Sequence, residues 1–115
     1  LEVSRPGELV GFDCFHVGRL SGTRGRVWQY TAIDLATAYS WAELHTTPLN
    51  PSARNTSRLA RRVAADLATH GWHVERVLTD NAKAYTRSRL YAGLLEELGI
   101  RHRRTRPYRP QTMRV

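Results

Sequence analysis

A chain of 115 residues with 41% hydrophobic and 24% charged side chains has room for one globular domain and is too apolar to be a disordered tail. No run of 18 apolar residues exists, which excludes a membrane-spanning helix, and the first residues lack the basic-then-apolar pattern of a secretory signal. The net charge is +8, and of 18 basic residues only Lys83 is a lysine, so the charge is carried by guanidinium forks that suit phosphate.

Arginine-rich composition also follows from a GC-rich genome, so charge alone favours a nucleic-acid partner only modestly. The one cysteine, Cys14, rules out an internal disulfide and fits a reducing cytoplasmic setting, where it is expected as a buried, inert thiol. No methionine opens the chain, as expected of a segment from the middle of a longer reading frame.

Pro6-Gly7 reads as a turn leading into a strand over residues 8–17, whose near-continuous apolar run suits a strand covered on both faces. A glycine-rich basic turn over 18–25 precedes a β-branched and aromatic strand over 27–34. A short turn then leads to a third strand over 38–44, forming an antiparallel hairpin. Asn50-Pro51 predicts a helix N-cap with proline at the first helical position. Leu59, Val63 and Leu67, with Ala60, Ala64 and Ala68 beside them, give that helix an apolar stripe; Arg58, Arg61 and Arg62 face away, and Gly71 ends it. A fourth strand is expected over 72–78. A second helix over 87–98 has Leu90, Leu94, Leu95 and Leu98 on one stripe, closed by Gly99. A short basic strand follows over 100–105, beyond which Pro107 and Pro110 bar regular structure.

Three strands, helix, strand, helix, strand predicts an α/β fold with a mixed sheet: antiparallel among the first three strands, parallel among the later ones. Right-handed crossovers lay the fourth strand beside the first. Asp13 then sits midway along the first strand and Asp80 at the carboxyl end of its neighbour. Strands ~4.8 Å apart bring two such carboxylates within reach of one ion. Two oxygen donors with open positions suit Mg²⁺ or Mn²⁺ completed by substrate phosphate. On spacing alone a strand-end aspartate is more often a turn cap.

The order of short motifs adds to this. Pro6-Gly7-Glu8-Leu9-Val10 running into Asp13, then Thr79-Asp80-Asn81, Leu98-Gly99-Ile100-Arg101-His102, and Thr105-Arg106-Pro107-Tyr108-Arg109-Pro110-Gln111-Thr112 together resemble the catalytic core of DDE insertion-sequence transposases and retroviral-type integrases. The resemblance implies an RNase H-like fold and metal-dependent DNA strand transfer, with Asp13 at the family's first acid and Asp80 at its second. It divides the chain into a linker (1–7), a partial catalytic core (8–106) and a basic proline-rich arm (107–115). It implies DNA, both element ends and target, as partner, and a homo-oligomer for the intact family member. Lys83, Arg101, Arg103, Arg104, Arg106, Tyr108 and Arg109 are the expected contacts to the DNA backbone.

Two departures qualify the match. Ala82 stands where the family has glycine after Thr-Asp-Asn, and the family's third acid, a glutamate on a helix beyond Pro-Gln-Thr, has its expected position past Val115. The fold is therefore expected to be incomplete at its C-terminus, with apolar surface exposed and the fragment inactive by itself. A non-catalytic DNA-binding remnant of a degenerate element is the competing expectation. Among other candidates, Asp34 is expected to cap the hairpin turn and His16 to point away from Asp13. Trp28, Trp41 and Trp72 are expected in the core or at sheet edges, and Glu96 and Glu97 in solvent.

Overall fold

The computed structural model describes residues 3–19, 22, 25–80, 85 and 88–104. Lys83, Arg106, Tyr108 and Arg109, and the whole 107–115 arm, lie outside them.

Among the described residues, five strands form one sheet in the order β3-β2-β1-β4-β5. They are β1 (Val10–Arg19), β2 (Arg26–Asp34), β3 (Ser40–Thr47), β4 (Arg76–Thr79) and β5 (Arg101–Arg104). The first three pair antiparallel, and β1–β4 and β4–β5 pair parallel, as the element order predicts. Among the described residues, α1 (Ala53–Ala68) and α2 (Arg89–Leu98) lie in the connections of the parallel part.

Alternation along β1 sends Val10 and Phe12 into the core while Asp13 and Phe15 are exposed on the other face. Tyr30, Ala32 and Trp41 continue the inner face across β2 and β3, and Leu59, Ala60, Val63 and Leu67 of α1 cover it. Tyr30 joins the two layers chemically as well. Its hydroxyl accepts hydrogen bonds from the Ser52 N–H (3.0 Å) and from Asn55 Nδ2 (3.3 Å) at the start of α1.

Several boundaries differ from the sequence expectation, each for a local reason. The N-cap of α1 is Ser52 rather than Asn50: its Oγ accepts from the N–H groups of Arg54 (3.1 Å) and Asn55 (3.4 Å), which leaves Pro51 before the helix. The helix closes as expected at Gly71, whose φ of +82° permits the bonds Gly71 N–H to Ala68 O and Trp72 N–H to Leu67 O. That closure uses Trp72, so β4 starts only at Arg76, and Trp72 is 38% exposed rather than a strand residue. In α2 the inward stripe is Tyr91, Leu94 and Leu95, with Leu98 packed beside them; Leu90 is 54% exposed. Tyr91, Leu94, Leu95 and Leu98 follow i, i+3, i+4, i+7, whereas Leu90 falls outside that stripe. The third strand starts at Ser40 because the preceding turn passes through Ala38 at φ +66°.

A strut of polar contacts fixes β1 relative to β4. Gly7 (φ +85°) donates its N–H to Asp34 Oδ1 (3.1 Å) and accepts from the Glu75 N–H (2.8 Å). Buried Asp34 also accepts from Thr37 Oγ1 (2.7 Å), so it caps the hairpin turn as expected and ties it to the Pro6-Gly7 turn. Arg5 and Glu75 form an ion pair across the same junction.

Candidate functional site

β1 and β4 pair in register Val10↔Val77 and Gly11↔Leu78. Continuing that register by two residues sets Asp13 opposite Asp80, and both residues are exposed. Buried Val77 and Thr79 alternate with half-buried Leu78 and exposed Asp80, so the two aspartates share the sheet face turned away from α1. Continued register and alternation thus set the two aspartates side by side on one face.

The electrostatics agree. The Asp13 carboxyl is held above its ordinary pKa of 3.8, first by partial burial and then by repulsion from Asp80, against a hydrogen bond from the Cys14 N–H (2.8 Å) that favours its anion. A carboxyl whose proton affinity is raised beside a second carboxylate is a donor that a hard divalent cation relieves. Metal fits here on chemical grounds. Among the described residues, no group of three or more His, Cys, Asp or Glu side chains is arranged to hold an ion.

The strand end that carries Asp80 is anchored by residues whose motif was legible but whose roles were not. Buried Thr79 donates its hydroxyl to the Asp80 carbonyl (3.0 Å) and lies 2.7 Å from His102 Nε2. With that hydroxyl donating onward, Nε2 carries the proton and donates to Thr79. Partial burial and then the nearby Arg104 charge hold the His102 pKa below its ordinary 6.5, which keeps the ring neutral for this bond. Tyr91 packs edge-on against the His102 ring at 5.6 Å.

Below Asp13, half-buried Cys14 places its Sγ 3.5 Å from the hydroxyl of buried Tyr85, and burial pushes the thiol's pKa upward. A protonated, screened thiol is the inert role expected of it. Tyr85 carried no sequence signal: it lies in a segment with no apolar periodicity and reaches Cys14 only through the tertiary fold.

Of the expected DNA contacts, Arg101, Arg103 and Arg104 lie on edge strand β5, where every residue is exposed. His16 sits against Trp28 with ring centroids 5.3 Å apart, away from the aspartate pair. Trp41 is buried and donates its indole N–H to Asp66 (2.8 Å), while Trp28 is half-buried and donates to the Leu49 carbonyl (3.1 Å). Glu96 and Glu97 face solvent on α2. Among the described residues, no helix is long and apolar enough to cross a membrane.

The family model of the integrase core domain matches residues 3–110. Among solved structures, a chain in the cryoEM structure of the simian T-cell lymphotropic virus intasome in complex with PP2A regulatory subunit B56 gamma superposes with a TM-score of 0.67 at 18% identity. The match covers 93% of the present chain and 34% of that one. The catalytic core domain of BIV integrase superposes with a TM-score of 0.63 at 17% identity, covering 93% of the present chain and 60% of that one. At these identities the likeness concerns the fold, which is the RNase H-like mixed sheet. No curated protein matches the chain.

Proposed function

Because the chain belongs to the integrase core domain family, we propose that it forms part of a metal-dependent DNA strand-transfer centre in which Asp13 and Asp80 are the carboxylates that hold the metal. The observation that supports this reading is the β1–β4 parallel register, which continued by two residues sets Asp13 opposite Asp80 on a sheet face not covered by α1. Members of this family generally depend on divalent metal, and Mg²⁺ or Mn²⁺ suits an all-oxygen donor set. When bound, such ions ease deprotonation of an attacking hydroxyl or water and neutralise charge on the leaving oxygen.

The residues of this chain have distinct parts in that scheme. Asp13 is held by a strand paired on both sides, and Asp80 by the Thr79–His102 anchor. Arg101 and Arg103, which alternation sets on the aspartate face, hold the DNA backbone beside the carboxylates, and Arg104 adds charge at the same edge, giving affinity and salt dependence without reading sequence. Lys83, Arg106, Tyr108 and Arg109 extend that contact. Mobile-element ends and target DNA are the substrates, and the working form is a homo-oligomer.

The 115-residue polypeptide has no acidic residue after Glu97. With two carboxylates in place of three, it is expected to bind metal and DNA without completing strand transfer.

Mn²⁺ binding to the polypeptide, followed by electron paramagnetic resonance, tests the metal assignment. Asp13→Asn and Asp80→Asn should each abolish it while leaving the circular dichroism spectrum unchanged. Undiminished Mn²⁺ binding in both variants would overturn the reading. Strand transfer by the unmodified polypeptide in magnesium would show that the third ligand has been misassigned.

A further inference from the structure

The outer face of α1 carries arginines at 54, 58 and 62, spaced i, i+4, i+8, with Arg61 beside them; all four are exposed. Arg62 is paired with Glu43 (2.9 Å), and Arg61 reaches Glu97 at 3.5 Å. Arg54 and Arg58 have no ionic partner among the described residues. The helix has no acidic residue in its first turn and no basic residue in its last. Its one acid, Asp66, stands near the C-terminal end, bound to the Trp41 indole.

This arrangement runs against the helix's own electrostatics. Arg54 places positive charge where the macrodipole is already positive, Asp66 places negative charge where it is negative, and Arg54/Arg58 and Arg58/Arg62 are like-charged i, i+4 pairs. A helix whose charges served stability alone would carry the reverse pattern. A polyanion lying along the stripe relieves the repulsions among the arginines and between Arg54 and the helix N-terminus together.

We infer that the arginine stripe Arg54–Arg58–Arg62 on α1 is a second binding surface for a DNA backbone, on the opposite side of the domain from Asp13. Its position decides which DNA it holds. Leu59, Val63 and Leu67 of α1 pack on the inner sheet face, whereas Asp13 lies on the outer one. A helix about 10 Å thick and the sheet therefore separate the two surfaces. The stripe binds a duplex segment distinct from the one whose phosphate reacts. The inference extends the DNA reading above, but it requires neither the metal assignment nor turnover.

The test measures binding of a random-sequence duplex in EDTA as a function of salt, together with thermal melting. Arg54→Glu/Arg58→Glu should make the slope of log K against log salt shallower by about 2, one unit per lost phosphate contact. The same variant should melt about 3 °C higher, because it restores the acid-first helix pattern. A control of equal charge change, Arg19→Glu/Arg26→Glu at the far end of the β1–β2 hairpin, should alter the slope by less than half as much. Equal losses in stripe and control variants would reduce the effect to net charge and overturn the proposal. An unchanged slope, or a lower melting temperature in the stripe variant, would overturn it too. Because the assay contains no metal, loss of Mn²⁺ binding at Asp13 or Asp80 leaves this outcome unaffected.

Discussion

β1 and β5 lie one strand apart in the same sheet and obey opposite rules. β1 is paired on both sides, alternates core and surface residues, and carries a carboxylate whose proton affinity is set by its neighbours. β5 is a four-residue edge strand, exposed at every position, with arginine at three of the four. A metal ligand must be positioned to fractions of an ångström, and a strand held from both sides does that. A phosphate contact tolerates looser geometry, since its energy comes largely from charge and counterion release. The charged edge also discourages pairing with a foreign strand. The difference shows the domain placing rigidity where bond geometry matters and loose charge where it does not.

If that contrast is right, disturbing the strut that fixes β1 against β4 should cost most. A Cβ at Gly7 would collide with the His73 backbone carbonyl oxygen, and its φ of +85° is unfavourable for any L-residue. Gly7→Ala is expected to destabilise the domain by about 3 kcal/mol, read as a fall in the urea midpoint without a change in slope. A loss under about 0.5 kcal/mol would mean the junction yields and β1 is not rigidly held.

The next effect sharpens the comparison at the β4 end. Thr79→Val keeps the shape but removes the hydroxyl that links the Asp80 carbonyl to His102. It should cost about 1 kcal/mol through the loss of two part-buried hydrogen bonds, and it should weaken Mn²⁺ binding although Asp80 itself is intact. Metal affinity equal to that of the unmodified chain would detach the Thr79 anchor from the site.

How much of this was legible in the sequence follows the same division. Apolar runs and the Leu59/Val63/Leu67 stripe give the strand order and α1, because burial imposes a period the chain must spell out. The adjacency of Asp13 and Asp80 follows from right-handed crossovers once β4 is recognised. The cap at Ser52 and the inward turn of Tyr91 in place of Leu90 were not legible. Each depends on a choice between adjacent acceptable residues that tertiary packing makes. Tyr85 beneath Cys14 and the bond from His102 to Thr79 join residues 71 and 23 positions apart, contacts no local pattern encodes.

A pH titration probes the carboxylate pair with a smaller effect. The Asp13 pKa lies above its unfolded value of 3.8, so the folded state holds that proton more tightly. Its contribution to stability is complete below pH 3.8 and is lost as pH rises through the folded pKa. Asp13→Asn should therefore gain stability relative to the unmodified chain across that rise, and Mg²⁺ should narrow the gap by stabilising the ionised pair. A stability difference that stays flat with pH, measured by urea denaturation, would mean that neither burial nor Asp80 raises the Asp13 pKa.

The smallest stability effect belongs to the edge, and there its smallness is the point. Arg103 is exposed between exposed strand neighbours and has no ion pair among the described residues, so Arg103→Ala should change stability by less than about 0.5 kcal/mol. In DNA binding the same substitution should make the salt slope shallower by about 1, with the affinity loss spread evenly over unrelated sequences. A large loss of stability would show that β5 carries structure as β1 does, and the division between rigid ligand and loose charge would fail. A sequence-dependent loss would show that Arg103 reads bases, which demands the positional accuracy this edge strand is argued to lack.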